Sequence, residues 1–314
     1  LYIFVKTIKK SKKNACMKIA ICICFSKKNA PFHKKVLKNL NDINIPPGYK
    51  LSFYLVSNNN LNNLENLALG IISNLKIDFK ILKNKKKDIP STRNIFLKKI
   101  KDKRVSYIGF LDDDCKIKRN WVFDMVKFIK KNDCEIVGGP QLHETTSYKY
   151  KSFYQFLEPK FTHKQPIKWI ATNNCFFKKE IINKINFRFD EKLKNIGGSD
   201  QLFFKKLKAA KYKIMWNAKT EVIEYQQQKR ENFNWFLMRN FRYGFSGLTI
   251  DQSIFGAKIG YLVNFLKITY LLILCFIQLF KIFESYNFFK SLFYFSRASG
   301  RIFAITKFQM TKYR

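Results

Sequence analysis

The sequence predicts an α/β fold in which a mostly parallel sheet is flanked by helices. Short apolar runs, such as 18–25 and 105–111, alternate with segments whose apolar residues recur at helical spacing. Strands separated by helices of about 10–15 residues are typical of βαβ units and of parallel sheets. The chain of 314 residues is 46% hydrophobic and 17% aromatic, so it can form a large core, and wholesale disorder is excluded.

The hydrophobic pattern assigns elements in a regular order up to residue 210. Strands are expected at 18–25, 51–56, 76–82, 105–111, 135–138 and 169–177, and helices at 32–42, 61–74, 91–101, 119–131, 178–184 and 200–210. We expect Ser91 or Thr92 to begin the helix at 91–101, and 141–168 to form a long polar and aromatic connection. After 231 the sequence changes to long aromatic and apolar helices, which predicts a change of domain near 230–245.

The charge balance is strongly basic. Sixty Lys and Arg residues against 22 Asp and Glu give a formal net charge of +38, and only ten of the sixty are Arg. Such a balance is compatible with nucleic acid, anionic lipid headgroups or phosphorylated substrates as partners. The lysines are spread over the whole chain rather than gathered into one stripe with aromatics, so we expect no nucleic acid partner. A non-catalytic basic protein that binds nucleic acid or a membrane is the alternative function.

The seven cysteines favour a reducing compartment. Their number is odd, and neither a CxxC pair nor a His-rich spacing indicates a zinc site. A phosphate-binding glycine loop is also missing after the first strand, where 26–31 reads SKKNAP. Kinase, dehydrogenase and nucleotidyltransferase functions are therefore disfavoured.

Three adjacent carboxylates, Asp112, Asp113 and Asp114, follow the strand at 105–111. Parallel-sheet enzymes bind ligands at the carboxyl edge of the sheet. Adjacent carboxylates repel one another, so a cation or solvent is needed to screen them. Asp112 and Asp114 could bind Mg²⁺ or Mn²⁺, with water and phosphate oxygens as the other ligands, and the ion could neutralise a diphosphate leaving group. A solvated acidic turn is the alternative.

A second motif, Gly197-Gly198-Ser199-Asp200, precedes an amphipathic helix. Glycines allow positive φ and a close approach of the backbone to a ligand. Asp200 is a candidate general base for an acceptor hydroxyl. The simpler interpretation is that Ser199 or Asp200 caps the helix.

Three of the ten arginines lie in the segment 221–244: Arg230, Arg239 and Arg242. Guanidinium groups suit phosphate oxygens. A solvated helix face or a contact with lipid headgroups is the alternative.

Taken in order, these segments resemble an inverting family 2 glycosyltransferase of the GT-A fold, and most closely the bacterial exopolysaccharide (succinoglycan-type) branch. The resemblance covers about 18–245. The residues that carry it are the strand and loop at 18–29, Ser91-Thr92-Arg93-Asn94, FLDDDCKIKRNWV at 110–122, WIATNNCFFKKEII at 169–182, the segment 187–216, and Glu224, Arg230, Trp235, Arg239, Arg242 and Gly244.

The resemblance implies a Rossmann-like GT-A sheet and a metal-dependent, hexosyltransferase-type enzyme. It would move a sugar from a nucleotide-sugar, with a UDP-sugar expected, to an acceptor hydroxyl with inversion, in the synthesis of bacterial exopolysaccharide, lipopolysaccharide or another surface glycan. It also implies a role for each matching residue. Asp200 is the catalytic base, Asp112 and Asp114 bind Mg²⁺ or Mn²⁺, Asp113 contacts the nucleoside or ribose, Arg93, Asn94 and Gly198 bind substrate, and Arg230 and Arg242 face the diphosphate or a loop closing over it.

The sequence departs from the family pattern at two positions. Ser199 stands where Glu usually precedes the catalytic Asp, which leaves a degenerate, inactive transferase as a further possibility. Val56-Ser57-Asn58 stands where an Asp often contacts the base. Either the hydroxyl of Ser57 or the amide of Asn58 could hydrogen-bond a uracil edge, and Asn58 is the candidate contact with the nucleotide base.

The C-terminal region is expected to associate with a membrane. Residues 259–280 are largely apolar and would form a helix about 33 Å long. Because Asn264, Lys267 and Gln278 interrupt a clean span, amphipathic helices on an anionic surface are favoured. A true span and a soluble helical cap stay open. The expected organisation is an extension at 1–16, a transferase domain at 17–245 and a membrane-associated region at 246–314.

These expectations place the protein at the cytoplasmic face of the inner membrane, with a glycan or a lipid-linked saccharide as the acceptor.

Overall fold

The computed structural model describes residues 16–57, 63–72, 77–86, 88–145, 147–184, 187–281 and 285–306. Within them the chain forms an α/β fold with a mostly parallel central sheet and helices on both faces, as the sequence predicts. Asn58 and nearly all of the predicted extension at 1–16 lie outside the described residues.

Strands and helices alternate through the first part of the chain, and three long helices end it. The strands are β1 (Met17–Phe25), β2 (Tyr49–Ser57), β3 (Ile77–Lys83), β4 (Val105–Asp112), β5 (Cys115–Ile117), β6 (Ile136–Gly138), β7 (Gln141–Glu144), β8 (Asn174–Lys178), β9 (Ile214–Trp216) and β10 (Val222–Tyr225). The helices are α1 (Ala30–Asn41), α2 (Leu64–Ile71), α3 (Ile89–Lys99), α4 (Trp121–Asn132), α5 (Tyr148–Leu157), α6 (Glu180–Lys184), α7 (Ser199–Ala209), α8 (Phe233–Phe255), α9 (Ala257–Phe280) and α10 (Ser285–Ile305).

The described strands form two sheets. The larger has the order β3-β2-β1-β4-β8-β6-β9, and only β8 runs antiparallel to its neighbours. The smaller has the order β5-β10-β7 and follows directly from the end of β4. In the parallel pair of β1 and β4, Cys24 lies opposite Asp112. The loops after β1 and β4 therefore leave the sheet side by side at its carboxyl edge.

The continuous apolar run of β1 is explained by burial on both faces. Ile19, Ile21 and Ile23 pack into one core with residues of α1 and α4, and Ala20 and Cys22 pack into the other with residues of α3 and α7. Successive side chains of a strand point to opposite faces, so a central parallel strand is apolar at every position.

Two of the differences from the sequence prediction concern α3 and the segment 141–168. Helix α3 is capped by Asp88, whose side chain accepts a hydrogen bond from the Ser91 backbone N at 2.8 Å, and not by Ser91 or Thr92. The segment 141–168 is not wholly irregular, because it contains β7 and α5. The aromatic residues of this segment have no clear periodicity in the sequence, so the sequence does not indicate α5. In the structure, Phe153 and Tyr154 of α5 are buried against the C-terminal helices.

Helices α8, α9 and α10 pack together after β10. Among the described residues, α9 is the one helix whose length and apolar composition would let it cross a membrane. Two of the polar residues that interrupt its sequence face inward. Asn264 is fully buried and bonded to Arg301 of α10, and Lys267 reaches Asp251 of α8 at 2.6 Å.

Candidate functional site

The candidate site lies where β4 ends and the chain turns into β5. Asp112 is the last residue of β4, and Asp113 and Asp114 form the turn before Cys115. Strand β10 and the loop after β1 lie beside this turn, because β5 pairs with β10 and β4 pairs with β1. The sheet topology thus collects polar side chains from three distant parts of the sequence.

Asp113 is held by the loop that follows β1. Its Oδ2 accepts hydrogen bonds from the Ser26 backbone N at 2.7 Å and the Ser26 hydroxyl at 3.2 Å, and lies 3.1 Å from His33 Nε2. Its Oδ1 accepts from Asn29 Nδ2 at 2.5 Å. The carboxylate is buried and engaged at both oxygens. This geometry gives Asp113 a role in fixing the loop, and its contact with a ribose stays a prediction.

Asp114 shares a guanidinium with Glu224 of β10. Arg230 donates to Glu224 Oε1 at 2.6 Å, and its other terminal nitrogen lies 3.7 Å from Asp114 Oδ2. Burial raises the pKa of Asp114 well above its usual range, and Glu224, Asp113 and Asp112 raise it further, against the opposing effect of Arg230. Asp114 thus lies among three other acidic side chains, and Arg230 is the cation that opposes their effect.

The carboxylate of Glu224 also lies beside His143 of β7. The His143 Nδ1 atom lies 3.5 Å from Glu224 Oε2 and 2.8 Å from Gln226 Nε2, and the imidazole stacks on Tyr154 at a centroid distance of 4.1 Å. Burial lowers the pKa of His143. A neutral imidazole adds no positive charge here, so Arg230 is the main cationic partner of Glu224.

Asp112 is the most accessible of the three adjacent carboxylates, with 39% of its side chain exposed. The Arg93 guanidinium lies 3.7 Å from its Oδ1 and 5.5 Å from the centre of the Phe189 ring. Burial raises the pKa of Asp112 to about 6, which Arg93 opposes and Asp113, Glu224 and Asp200 reinforce. The charge of Asp200 also acts on Arg93. The structure thus brings Asp200 into the same electrostatic cluster as Asp112 and Arg93.

Asp200 lies in the first turn of α7 and is half-buried, and its Oδ1 accepts from the Gln201 backbone N at 2.8 Å. Gly198 caps this helix with a φ of 82°. A Cβ at Gly198 would lie 2.9 Å from Ile250 Cδ1 and 3.2 Å from the Ser246 hydroxyl of α8. Positive φ and close packing on α8 both require glycine here, so Gly198 fixes where α7 begins, and its contact with substrate stays a prediction.

The remaining predicted site residues have different surroundings. Both polar atoms of the Asn94 side chain bond the Phe189 backbone, as donor to its carbonyl at 2.9 Å and as acceptor from its N–H at 2.8 Å. Asn94 therefore ties α3 to the segment that leads to α7. Arg242 lies half-buried on α8. Substrate contacts of Asn94 and Arg242 stay predictions.

The oxygen donors fit a divalent cation that is held largely by its substrate. Within the described residues, no group of three or more His, Cys, Asp or Glu side chains is arranged to hold a metal ion. Mg²⁺ in phosphate-transfer sites is commonly bound by one or two carboxylates together with substrate phosphates. Asp112 and Asp114 supply hard oxygen ligands, and Asp113 and Glu224 are further acidic groups beside them. The carboxylates therefore fit Mg²⁺ or Mn²⁺ arriving with a diphosphate.

Sequence reasoning missed the groups that hold the carboxylates in place. Ser26, Asn29 and His33 have no predicted role, although they directly follow β1 in the sequence. β1 and β4 are adjacent parallel strands, so the loops that follow them lie side by side. The order of the strands could therefore have indicated that Ser26, Asn29 and His33 lie near the carboxylates. His143 lies beside Glu224 because β7 pairs with β10, and the sequence does not indicate β7.

The sequence matches a known protein family, and the fold is similar to known structures. The model of glycosyl transferase family 2 matches residues 20–185, just over half of the chain. A search of curated protein sequences gives no significant match. The fold is similar to that of solved glycosyltransferases, at identities that show the fold alone.

The similar structures include TarS 1–349 of S. aureus, with a TM-score of 0.51 at 14% identity over 77% of this chain and 70% of that one. TarS 1–349 in complex with UDP gives a TM-score of 0.52 at 12% identity over 93% and 92% of the two chains. GalNAc-T7 with UDP, GalNAc and Mn²⁺ gives 0.52 at 12% identity over 74% and 51%.

The α/β fold with its carboxyl-edge site is thus of the GT-A type, and the family model spans both β1 and the carboxylates after β4. The chain belongs to glycosyl transferase family 2.

Proposed function

We propose that the protein transfers a sugar from a UDP-sugar to an acceptor hydroxyl with inversion, as a metal-dependent enzyme of bacterial exopolysaccharide, lipopolysaccharide or other surface-glycan synthesis. The observation that carries the proposal is the convergence of Asp112, Asp114 and Arg230 with Asp200 at one edge of the sheet. The solved complexes of TarS with UDP-GlcNAc and with UDP support a UDP-sugar as the donor class.

On the donor side, the diphosphate would lie against Asp112, Asp114 and Arg230. Mg²⁺ or Mn²⁺, held by Asp112 and Asp114, would supply positive charge that stabilises the departing nucleoside diphosphate. Arg230 already lies between Asp114 and Glu224, so it can turn its guanidinium to phosphate oxygens while Glu224 keeps its position. Arg93, Asn94, Gly198 and Arg242 are the further substrate contacts.

On the acceptor side, Asp200 would act as the general base. Its carboxylate takes the proton of the acceptor hydroxyl, the hydroxyl oxygen attacks the anomeric carbon, and the bond from that carbon to the diphosphate oxygen breaks. A single displacement of this kind inverts the anomeric centre. Ser199 replaces the glutamate expected before the base, but it is buried at the start of α7, and Asp200 beside it is half-buried.

The place of action that we propose is the cytoplasmic face of the inner membrane, with the helices after residue 245 in contact with the lipid. The outward side of α9 is apolar and exposed, as shown for example by Phe265 and Phe276. A glycan or lipid-linked saccharide is the expected acceptor.

The test is release of free nucleotide from UDP-, GDP- and dTDP-sugars with Mn²⁺, with Mg²⁺ and with EDTA. Wild-type protein should turn over one donor class, and Asp200→Asn should lose at least about 100-fold in rate, the usual contribution of a general base. The matched control is Asp133→Asn, since Asp133 is an exposed carboxylate at the end of α4. Equal rates in Asp200→Asn and wild type would refute the role of Asp200. Nucleotide release that is unchanged by EDTA would refute metal dependence.

A further inference from the structure

Asn29, in the loop after β1, bridges two of the adjacent carboxylates. Its Nδ2 donates to Asp113 Oδ1 at 2.5 Å and to Asp114 Oδ2 at 3.0 Å, and the side chain is almost fully buried. Adjacent carboxylates repel one another, and an amide nitrogen between their oxygens offsets part of this repulsion. Both oxygens of Asp113 are engaged, since Ser26 donates to the other one. Asp113 is therefore used up inside the protein.

The bond from Asn29 makes the two oxygens of Asp114 unequal. Oδ2 accepts from Asn29 and lies 3.7 Å from a terminal nitrogen of Arg230. Within the described chain, the donor to Oδ1 is the thiol of Cys115, with its sulfur at 3.9 Å, and a thiol is a weak donor. Oδ1 is thus the oxygen that can bind a cation with the smallest loss of protein contacts.

Gln227, in the loop after β10, fixes the orientation of the Asn29 amide. Its Nε2 donates to Asn29 Oδ1 at 2.6 Å and to the Lys28 carbonyl at 3.0 Å. In this orientation Gln227 Oε1 is buried and has no hydrogen-bond partner among the described residues, which is costly. The orientation is kept because the nitrogen serves two acceptors. With its oxygen held by Gln227, Asn29 presents its nitrogen to the carboxylates.

The segment that contains Gln227 also carries Arg230. The Arg230 backbone N donates to the Gln227 carbonyl at 2.8 Å. The Arg230 guanidinium faces Asp114 Oδ2, the oxygen that Asn29 also holds. A donor diphosphate that draws Arg230 toward its own oxygens would remove this contact. Asn29 would then be the side chain that keeps Asp114 in place.

We propose that Asn29 is a positioning residue of the cation site, which holds Asp114 by Oδ2 and leaves Oδ1 for the divalent cation, and that Gln227 keeps Asn29 in this orientation. The inference rests on the proposed transferase function and adds the residues that set the affinity of the site for its cation. Carboxylates that bind a metal depend on such hydrogen-bond partners for their orientation. This matters most where the protein supplies few ligands, as Asp112 and Asp114 do here.

The experiment is calorimetry of UDP binding to the full chain at increasing Mn²⁺, which gives the Mn²⁺ concentration for half-maximal binding. Asn29→Leu keeps the approximate shape of the side chain without its donors. It should raise this concentration about tenfold, the lower end for partners of a metal ligand. Gln227→Met removes the donor that orients Asn29, and should raise the concentration about threefold, as expected for the loss of one hydrogen bond.

The matched control is Asn240→Leu. Asn240 of α8 is also buried, and its side chain bonds the Phe236 carbonyl at 2.9 Å and the Arg297 guanidinium at 2.6 Å. This variant loses hydrogen bonds of the same kind between α8 and α10, so it should be destabilised but need as much Mn²⁺ as wild type. Thermal unfolding of the same proteins in EDTA measures the loss of stability, and so separates it from cation affinity.

The outcomes distinguish this inference from the proposed function. Wild-type protein that binds UDP equally in Mn²⁺ and in EDTA would refute the proposed cation site, on which the inference rests. If wild-type binding requires Mn²⁺ but Asn29→Leu and Gln227→Met need no more of it than Asn240→Leu does, the cation site stands and the positioning role is overturned. If Asn29→Leu does not fold, Gln227→Met decides, since Gln227 lies in a loop and is only half-buried.

Discussion

Replacing Arg230 tests how the charge of the site is balanced. Arg230→Met removes the guanidinium that donates to Glu224 at 2.6 Å and lies 3.7 Å from Asp114, while a methionine of similar length keeps the apolar contacts. Arg230 is half-buried, with 16% of its side chain exposed, and Glu224 and Asp114 are buried. The variant therefore leaves two buried carboxylates without their shared cation.

The expected cost follows from that burial. Removing one partner of a buried ion pair costs about 3–5 kcal/mol. For a chain of this size a change of 1 kcal/mol moves Tm by about 2 °C, so Tm should fall by about 6–10 °C in EDTA at pH 8. Mn²⁺ should restore part of this loss, because a ligand at 100 times its Kd stabilises the folded state by about 2.7 kcal/mol.

The assay is thermal unfolding of both proteins in EDTA and in increasing Mn²⁺. Mn²⁺ should raise the Tm of Arg230→Met more than that of wild type, in which the guanidinium competes with the cation for Asp114. Arg104→Met is the control, since Arg104 pairs with Asp102 at the exposed surface and surface pairs contribute little. An Arg230→Met protein as stable as wild type in EDTA would refute the proposed charge balance. An equal response to Mn²⁺ in both proteins would refute the competition.

Three further predictions concern the supports of the site. Burial raises the pKa of Glu158, which lies 3.7 Å from His143, from 4.5 to about 7, so the fold loses stability as the pH rises from about 4.5 to about 7. Because the side chain is partly exposed, Glu158→Gln should raise the free energy of unfolding at pH 8 by only about 2 kcal/mol and change it little at pH 4. Equal effects at both pH values would contradict this. Gly198→Ala should lower the free energy of unfolding by about 2–4 kcal/mol, because alanine is strained at this positive φ and its Cβ would contact Ile250. A free energy from urea unfolding within about 0.5 kcal/mol of the wild-type value, the usual range for surface substitutions, would count against it. Asn94→Ala should lower the free energy of unfolding by about 2–4 kcal/mol and speed hydrogen exchange at the Phe189 amide, which loses its acceptor. Unchanged protection of that amide would show that Asn94 does not hold the segment.

Strong local patterns let the sequence predict most of the fold. The apolar runs of β1 and β4 are buried on both faces, so their composition alone identifies central strands. Short edge elements were less visible. β7 has four residues with polar side chains at both exposed and half-buried positions, and its pairing with β10 comes from chain segments about 80 residues apart. No local period reports such a pairing.

The candidate site was predictable where chemistry is concentrated in the sequence and hidden where it depends on long-range packing. Asp112 and Asp114 stand out as adjacent carboxylates after an apolar strand. The engagement of Asp113 by Ser26 and Asn29, and that of Asn94 by the Phe189 backbone, depend on which loops meet. For the same reason, the sequence could not show that Lys267 contacts Asp251 of α8.

The central claim is that the carboxylates after β4 bind a nucleoside diphosphate together with a divalent cation. Calorimetry of UDP binding to wild-type protein and to Asp114→Asn, in Mn²⁺ and in EDTA, tests it without knowledge of the acceptor. We expect wild-type protein to bind UDP in Mn²⁺, and this binding to be lost in EDTA and in the variant. Binding of equal strength in Mn²⁺ and EDTA, or undiminished binding by Asp114→Asn, would contradict it.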